Sequence, residues 1–223
     1  MVIKLGGGFG MKISTLEIAL KPDLADAKAE ALINKAASYF TIHLDTARCV
    51  HILTLESDLT KEQLDQIRGE IFTNPVTQVG SFQPLDIEFN WCIWIGLRPG
   101  VRDNAGATAI EAIQDLFGDG AASVKGAYTS LRYCITGKNL TFEDMETLAS
   151  QLLSNPIIQQ YRIFSAKEWN PKLGVDVKPP RVMLNHTPCC TEISIDSDEE
   201  LARISQERNL ALHPRDIPVI RSY

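Results

Sequence analysis

Three groups of residues in this 223-residue sequence have side chains of the kinds that do chemistry. His43 and His51 flank Asp45 and Cys49, a collection of nitrogen, oxygen and sulfur donors. Protein zinc sites take paired ligands at close spacing, and seven residues between two histidines with one thiol do not match. These residues are therefore read as surface or interface positions on strands. Cys189 and Cys190 follow His186. A thiolate nucleophile needs a base and positive surroundings, and this proline-rich stretch supplies neither, so the pair is read as free thiols. Arg98, Arg102 and Lys125 could gather at the start of a helix opening after Asp103, where unsatisfied backbone N–H groups attract anions. Asp103 competes for those same groups as an N-cap, and a capped helix with solvated arginines is expected. The glycines at 6, 7, 8 and 10 lack the Lys-Ser/Thr pair with which a phosphate loop meets phosphate and metal. The sequence thus predicts no catalytic residue, no cofactor-binding residue and no metal ligand.

The bulk composition narrows the classes further. With 22 Lys+Arg against 28 Asp+Glu the net charge is −6, which argues against a nucleic-acid grip built on a basic face. The hydrophobic fraction of 44% is that of an ordinary globular chain, with no apolar run approaching the ~20 residues of a membrane span. Five cysteines, an odd number without regular spacing, point away from a secreted disulfide framework and towards the cytoplasm.

Positioning comes from an internal repeat. Leu20-Lys21-Pro22-Asp23-Leu24 stands 77 positions before Leu97-Arg98-Pro99-Gly100-Val101, and Asp26 stands 77 before Asp103. Leu59-Thr60-Lys61-Glu62 and Thr73-Asn74-Pro75-Val76 stand 81 before Leu140-Thr141-Phe142-Glu143 and Ser154-Asn155-Pro156-Ile157. Matching blocks in one order, with a four-residue insertion near Gly118, indicate duplication.

Each repeat reads as strand, helix, strand, strand, helix, strand. The first strands lie at 15–20 and 88–97, where Phe89, Trp91, Ile93 and Ile95 share a face at period two. Helices follow, with apolar faces of Leu24, Ala27, Ala31, Ile33 and Ala36 in one and Ala109, Ile110, Ile113, Leu116 and Phe117 in the other. Extended runs are expected at 41–46 and 49–55, and at 124–130 and 131–136. Thr60 and Thr141 are expected N-caps of the second helices, and Asn74-Pro75 and Asn155-Pro156 stop them. Closing strands run 76–82 and 157–164. The fold class is α+β: tandem ferredoxin-like two-layer sandwiches forming a fused pseudo-dimer. The strand at 89–95, with two tryptophans, is placed in the interface between them.

The expected divisions are a flexible leader at 1–12, repeats at 13–84 and 85–165, a linker at 166–196 and a helical segment at 197–223. Glu199, Glu200, Arg203, Glu207 and Arg208 are expected to form a solvated face with paired charges.

Residues 97–106, the helix ending Leu116-Phe117-Gly118, and the run Asn155-Pro156-Ile157-Ile158-Gln159-Gln160-Tyr161-Arg162-Ile163 resemble the PurS family, the small subunit of phosphoribosylformylglycinamidine (FGAM) synthase. The first repeat is a worn version, with Asp23 and Ala29 where the second has Gly100 and Gly106. Residues 198–223 are similar to the helical linker of the large synthase polypeptide. The resemblance implies a structural or interaction domain of a C–N ligase of purine biosynthesis, bridging its synthetase and glutaminase domains. ATP and Mg would belong to the parent enzyme, the piece alone would be inactive, and the stop at Tyr223 would fall inside a longer polypeptide. The alternative is a tandem regulatory domain binding a small ligand between its repeats.

Overall fold

The computed structural model describes residues 12–118, 124–182 and 196–222. Its elements are β1 (Lys12–Leu20), α1 (Ala27–Phe40), β2 (Thr46–Ser57), α2 (Lys61–Ile67), β3 (Gln78–Ser81), β4 (Trp91–Leu97), α3 (Asn104–Phe117), β5 (Val124–Thr136), α4 (Phe142–Thr147), β6 (Gln159–Ser165), α5 (Asp198–Glu207) and α6 (Ile217–Arg221). Helices α2 and α4 each continue into a wider π-helical turn, Arg68–Phe72 and Leu148–Leu153.

Local chemistry sets the boundaries. Thr60 and Thr141 each cap a helix with a reciprocal box, in which Gln63 or Asp144 returns to the cap's own N–H. Gly118 ends α3 at φ 75°, a conformation that carries no steric cost without a Cβ. The Asn-Pro turns are alike: the side-chain oxygens of Asn74 and Asn155 accept from Val76 N and Ile157 N at 2.9 and 3.0 Å.

Each repeat holds three strands, where the sequence predicts four. Residue 41 belongs to the end of α1: Thr41 is left-handed at φ 56° and its N–H returns to Ala36 and Ala37, so the chain turns before β2 can begin. Residues 124–136 form one strand, because nothing at Ser130-Leu131 breaks the alternation. The six strands make one antiparallel sheet in the order β3-β1-β2-β5-β4-β6. The sheet runs on through the join, where β2 pairs with β5 from Thr46↔Thr136 to Glu56↔Gly126. This corrects the placing of the tryptophan-rich strand: β4 lies inside the second repeat, between β5 and β6, and β2 and β5 make the join.

Helices α1 to α4 lie on one face and exchange partners between repeats. One core packs α1 (Ala29, Leu32, Ala36) with Met145 and Leu148 of the second repeat over Cys49, Ile93 and Ile135. The other packs α3 (Ala109, Ile113) with Leu64 and Ile67 of the first repeat over Leu16, Leu53 and Leu55. The buried face of α1 is Ala29, Leu32 and Ala36, whereas Ala27 and Ala31 are exposed. An alanine-rich helix hides its inner face from sequence periodicity, because alanine is at home on either side. The true face stands 77 positions before Gly106, Ala109 and Ile113, the buried residues of α3.

The opposite sheet face is covered by residues 166–182, a strap in place of the expected linker. Val175, 3% exposed, and Trp169 pack there on Ala19, Val50, Ile52, Trp94 and Cys134. The chain divides into two units at 182/183. In the second unit, Ser197 caps α5, Arg203 pairs with Glu207 at 3.5 Å as expected, and Arg221 of α6 meets Asp198 at 3.1 Å.

Candidate functional site

The start of each first helix is stapled to the middle of the sheet. Asp26 accepts from Ala29 N at 3.1 Å with one carboxylate oxygen and from Cys49 N at 2.8 Å with the other. Asp103 accepts from Gly106 N at 2.8 Å and takes both the N–H and hydroxyl of Thr129. One carboxylate thus satisfies an orphan donor of the helix and an amide of the long strand beside it. The turn before each helix carries a second pin. Lys21 Nζ donates to Pro75 O at 2.8 Å, and Arg98 Nε donates to Pro156 O at 2.9 Å, tying the opening strand of each repeat to its Asn-Pro turn.

These contacts decide the proposed anion cluster. Asp103 is the N-cap, as expected. Arg98 is exposed, as expected, and its Nε also donates to Pro156 O and Gln159 O. Arg102 and Lys125 are exposed.

Where the repeats meet, a cavity of about 500 Å³ opens on the helix side, lined by Ile18, His51, Leu53 and Phe72 from the first repeat and by Leu97, Asp103, Ala109, Thr129 and Leu131 from the second. His51 sits opposite Leu131 across the join. Lys28 Nζ stands 3.2 Å from its Nε2. Burial first, and Lys28 second, hold the imidazole below its ordinary value of 6.5, so it stays neutral there and accepts from the ammonium. His43 is exposed, on the connection between α1 and β2. The two histidines thus do not converge, and among the described residues no group of three or more His, Cys, Asp or Glu could hold a metal.

The strap face holds the most demanding polar contact. Glu17 of β1 accepts from Arg132 Nη2 of β5 at 2.6 Å and from Leu85 N at 2.7 Å. Arg132 is fully buried, and its guanidinium stacks 4.9 Å from the ring centroid of Trp169. Desolvation still raises the Glu17 carboxyl above its ordinary value, outweighing the guanidinium. Among the described residues, Arg132 Nε and Nη1, Trp94 Nε1, Ser130 Oγ and Thr54 Oγ1 on this face have no hydrogen-bond partner.

Cys92 and Cys134 face each other on neighbouring strands as buried free thiols and pack as small hydrophobes. Burial pushes the Cys49 thiol up to about 11, so it is inert as a nucleophile. His186, Cys189 and Cys190 lie outside the described residues, as do the glycines of the opening stretch. Sequence reasoning missed the Glu17–Arg132 pair. Glu17 and Arg132 each stand at an inward position of an alternating strand, and that placement is the signal that could have marked them.

Residues 91–167 match the family model "PurS: Phosphoribosylformylglycinamidine (FGAM) synthase", and these residues run from β4 past β6. Phosphoribosylformylglycinamidine synthase subunit PurS from Synechocystis sp. is 33% identical over 70 residues, which are 31% of this chain and 70% of that subunit. No described helix is long and apolar enough to cross a membrane. With a PurS-like domain in its second repeat and a relative of this identity covered over most of its length, the chain belongs to the PurS family.

Proposed function

We propose that this chain is a structural and interaction module of FGAM synthase in purine biosynthesis. The reading is that two ferredoxin-like PurS units are fused as a pseudo-dimer, and that the module bridges the synthetase and glutaminase parts. What supports it most directly is the family match to the second repeat, taken with the sheet order. A PurS unit ending at β5 has a long strand edge to fill, and here the equivalent strand of a second repeat fills it. Fusion makes that pairing independent of concentration. In this reading the parent enzyme works in the cytoplasm, ATP and Mg serve its synthetase domain, and residues 197–223 open its helical linker. The module itself contributes no catalytic group. Its task is to hold the two parts in register, so that ammonia released from glutamine reaches the synthetase without loss.

The test is amidine formation by the parent enzyme with and without residues 1–165, driven by glutamine or by ammonium. Loss of the glutamine-driven rate with the ammonium-driven rate retained is expected. Full coupling of glutamine to product in the shortened enzyme would end the proposal.

A second reading is favoured by the cavity at the join: a regulatory domain taking a small ligand beside His51. Thermal shifts of this chain against amino acids and nucleotides separate the two, since the bridging module needs no ligand.

A further inference from the structure

The outer edge of β1 is only half occupied. Strand β3 pairs with it from Glu17↔Ser81 to Leu20↔Gln78; residues 12–16 pair with β2 on their inner side, and among the described residues no strand pairs with them on the outer side. Five residues of strand offer about 16 Å of unpaired N–H and C=O groups. Unlike the fully paired central strands, this edge opens into a groove of about 960 Å³. One wall is α2, through Lys61 and Leu64, the other is the strap, through Lys172, Val177 and Lys178, and Phe82 lies among its lining residues.

In a chain of net charge −6, the rim is unexpectedly cationic. Lys12, Lys61, Lys172, Lys178 and Arg181 all line the groove, and Lys12, Lys61, Lys172 and Lys178 are exposed. Of the acidic residues beside them, Glu56 is paired with Arg181, Asp65 with Arg68 and Glu17 with Arg132; Asp176 is the fourth acid of the lining, so the four exposed lysines outnumber it. Proteins protect open edges by putting lysine on the edge strand itself or by covering it. Here only Lys12 is on the strand; the other cations stand on the two walls, where they frame the edge and leave it open.

We propose that this groove is a docking site for an extended acidic peptide segment of a protein partner, which adds as a strand along residues 12–16. Backbone bonds to the edge supply affinity. Alternate side chains of the segment supply specificity, with carboxylates facing the lysines of the strap and apolar residues facing Leu64. A nucleic-acid backbone has no alternating donors and acceptors to match a strand edge. A peptide is therefore the occupant this geometry selects. The site is separate from the join between the repeats and stands whether or not the bridging role holds.

The probe is a fluorescein-labelled peptide of alternating Glu and Val, titrated into the full chain and read by anisotropy. Binding is expected, weakening with salt, with amide exchange slowed at residues 12–16. The same peptide N-methylated at alternate amides should bind about tenfold more weakly or less, because it cannot complete the ladder. The double variant Lys172→Glu/Lys178→Glu, at two exposed positions, should weaken the Glu-Val peptide about tenfold and favour a Lys-Val peptide instead. Equal affinity of the N-methylated peptide, indifference to the double variant, or exchange protection elsewhere would overturn the proposal. So would preference for an oligothymidylate, or self-association of the chain through this edge with no peptide bound.

Discussion

The carboxylate of Glu17, in the first repeat, lies 2.6 Å from the guanidinium of Arg132, in the second, with both side chains buried beneath the strap. The pair crosses the join between repeats, because β1 and β5 flank β2 on either side. Removing one partner leaves an uncompensated charge, whereas removing both leaves none. Glu17→Leu should therefore cost about 3–5 kcal/mol in urea denaturation. Glu17→Leu combined with Arg132→Met should recover most of that loss. The raised Glu17 carboxyl gives the sign with pH. The folded chain holds this proton more tightly than the unfolded one, so the pair's contribution falls as pH rises from 4.5. A double variant as unstable as the single would disprove this account.

Gly106 marks where α3 touches the sheet most closely. A Cβ there would collide with the backbone oxygen of Ala127 in β5, and backbone cannot swing aside. Gly106→Ala should cost about 1–3 kcal/mol despite the better helix propensity of alanine. The equivalent residue of the first repeat is already Ala29, 2% exposed. There the reverse change, Ala29→Gly, should destabilise by about 1–2 kcal/mol through helix propensity and the loss of a buried methyl. A thermal melt showing Gly106→Ala neutral would mean that α3 can move outward at little cost.

Asp26 and Asp103 each hold a helix start and a strand amide at once. Asp103→Ala removes the cap and orphans the Thr129 amide, for an expected loss of about 2–4 kcal/mol. Asp26→Ala should match it, since Cys49 N takes the place of Thr129 N. Asp103→Asn keeps one oxygen and should recover about half. Chemical denaturation of the three variants checks the pattern, and a loss below 1 kcal/mol at both aspartates would refute the double role.

His51 supplies the second pH signature. Its folded value lies below 6.5, through burial and then Lys28, so the unfolded chain binds the proton more readily. Stability contributed by the neutral imidazole is present above 6.5 and is lost as pH falls from 6.5 towards the folded value. His51→Gln should flatten that part of the pH–stability curve. Identical curves for wild type and His51→Gln would show that the imidazole is not held neutral.

Features settled within a few residues are legible in the amino-acid order: the aspartate and threonine caps and the Asn-Pro stops, each of which the duplication places twice, and the glycine after α3. These depend on hydrogen bonds spanning three or four residues, so type and spacing suffice. Which face of the alanine-rich α1 turns inward is set by long-range packing, because its neighbours Met145 and Leu148 come from the other repeat. Long-range pairing likewise joins β2 to β5 and puts β4 inside its own repeat. Residues 166–182, too short of periodicity to signal an element, became the cover of a sheet face because Trp169 and Val175 found apolar surface there. A strand carries no record of which edge it will pair with; the partner is fixed when long-range contacts repay the cost of closing the chain between them. Glu17 and Arg132, 115 residues apart, show the same limit at the level of one ion pair.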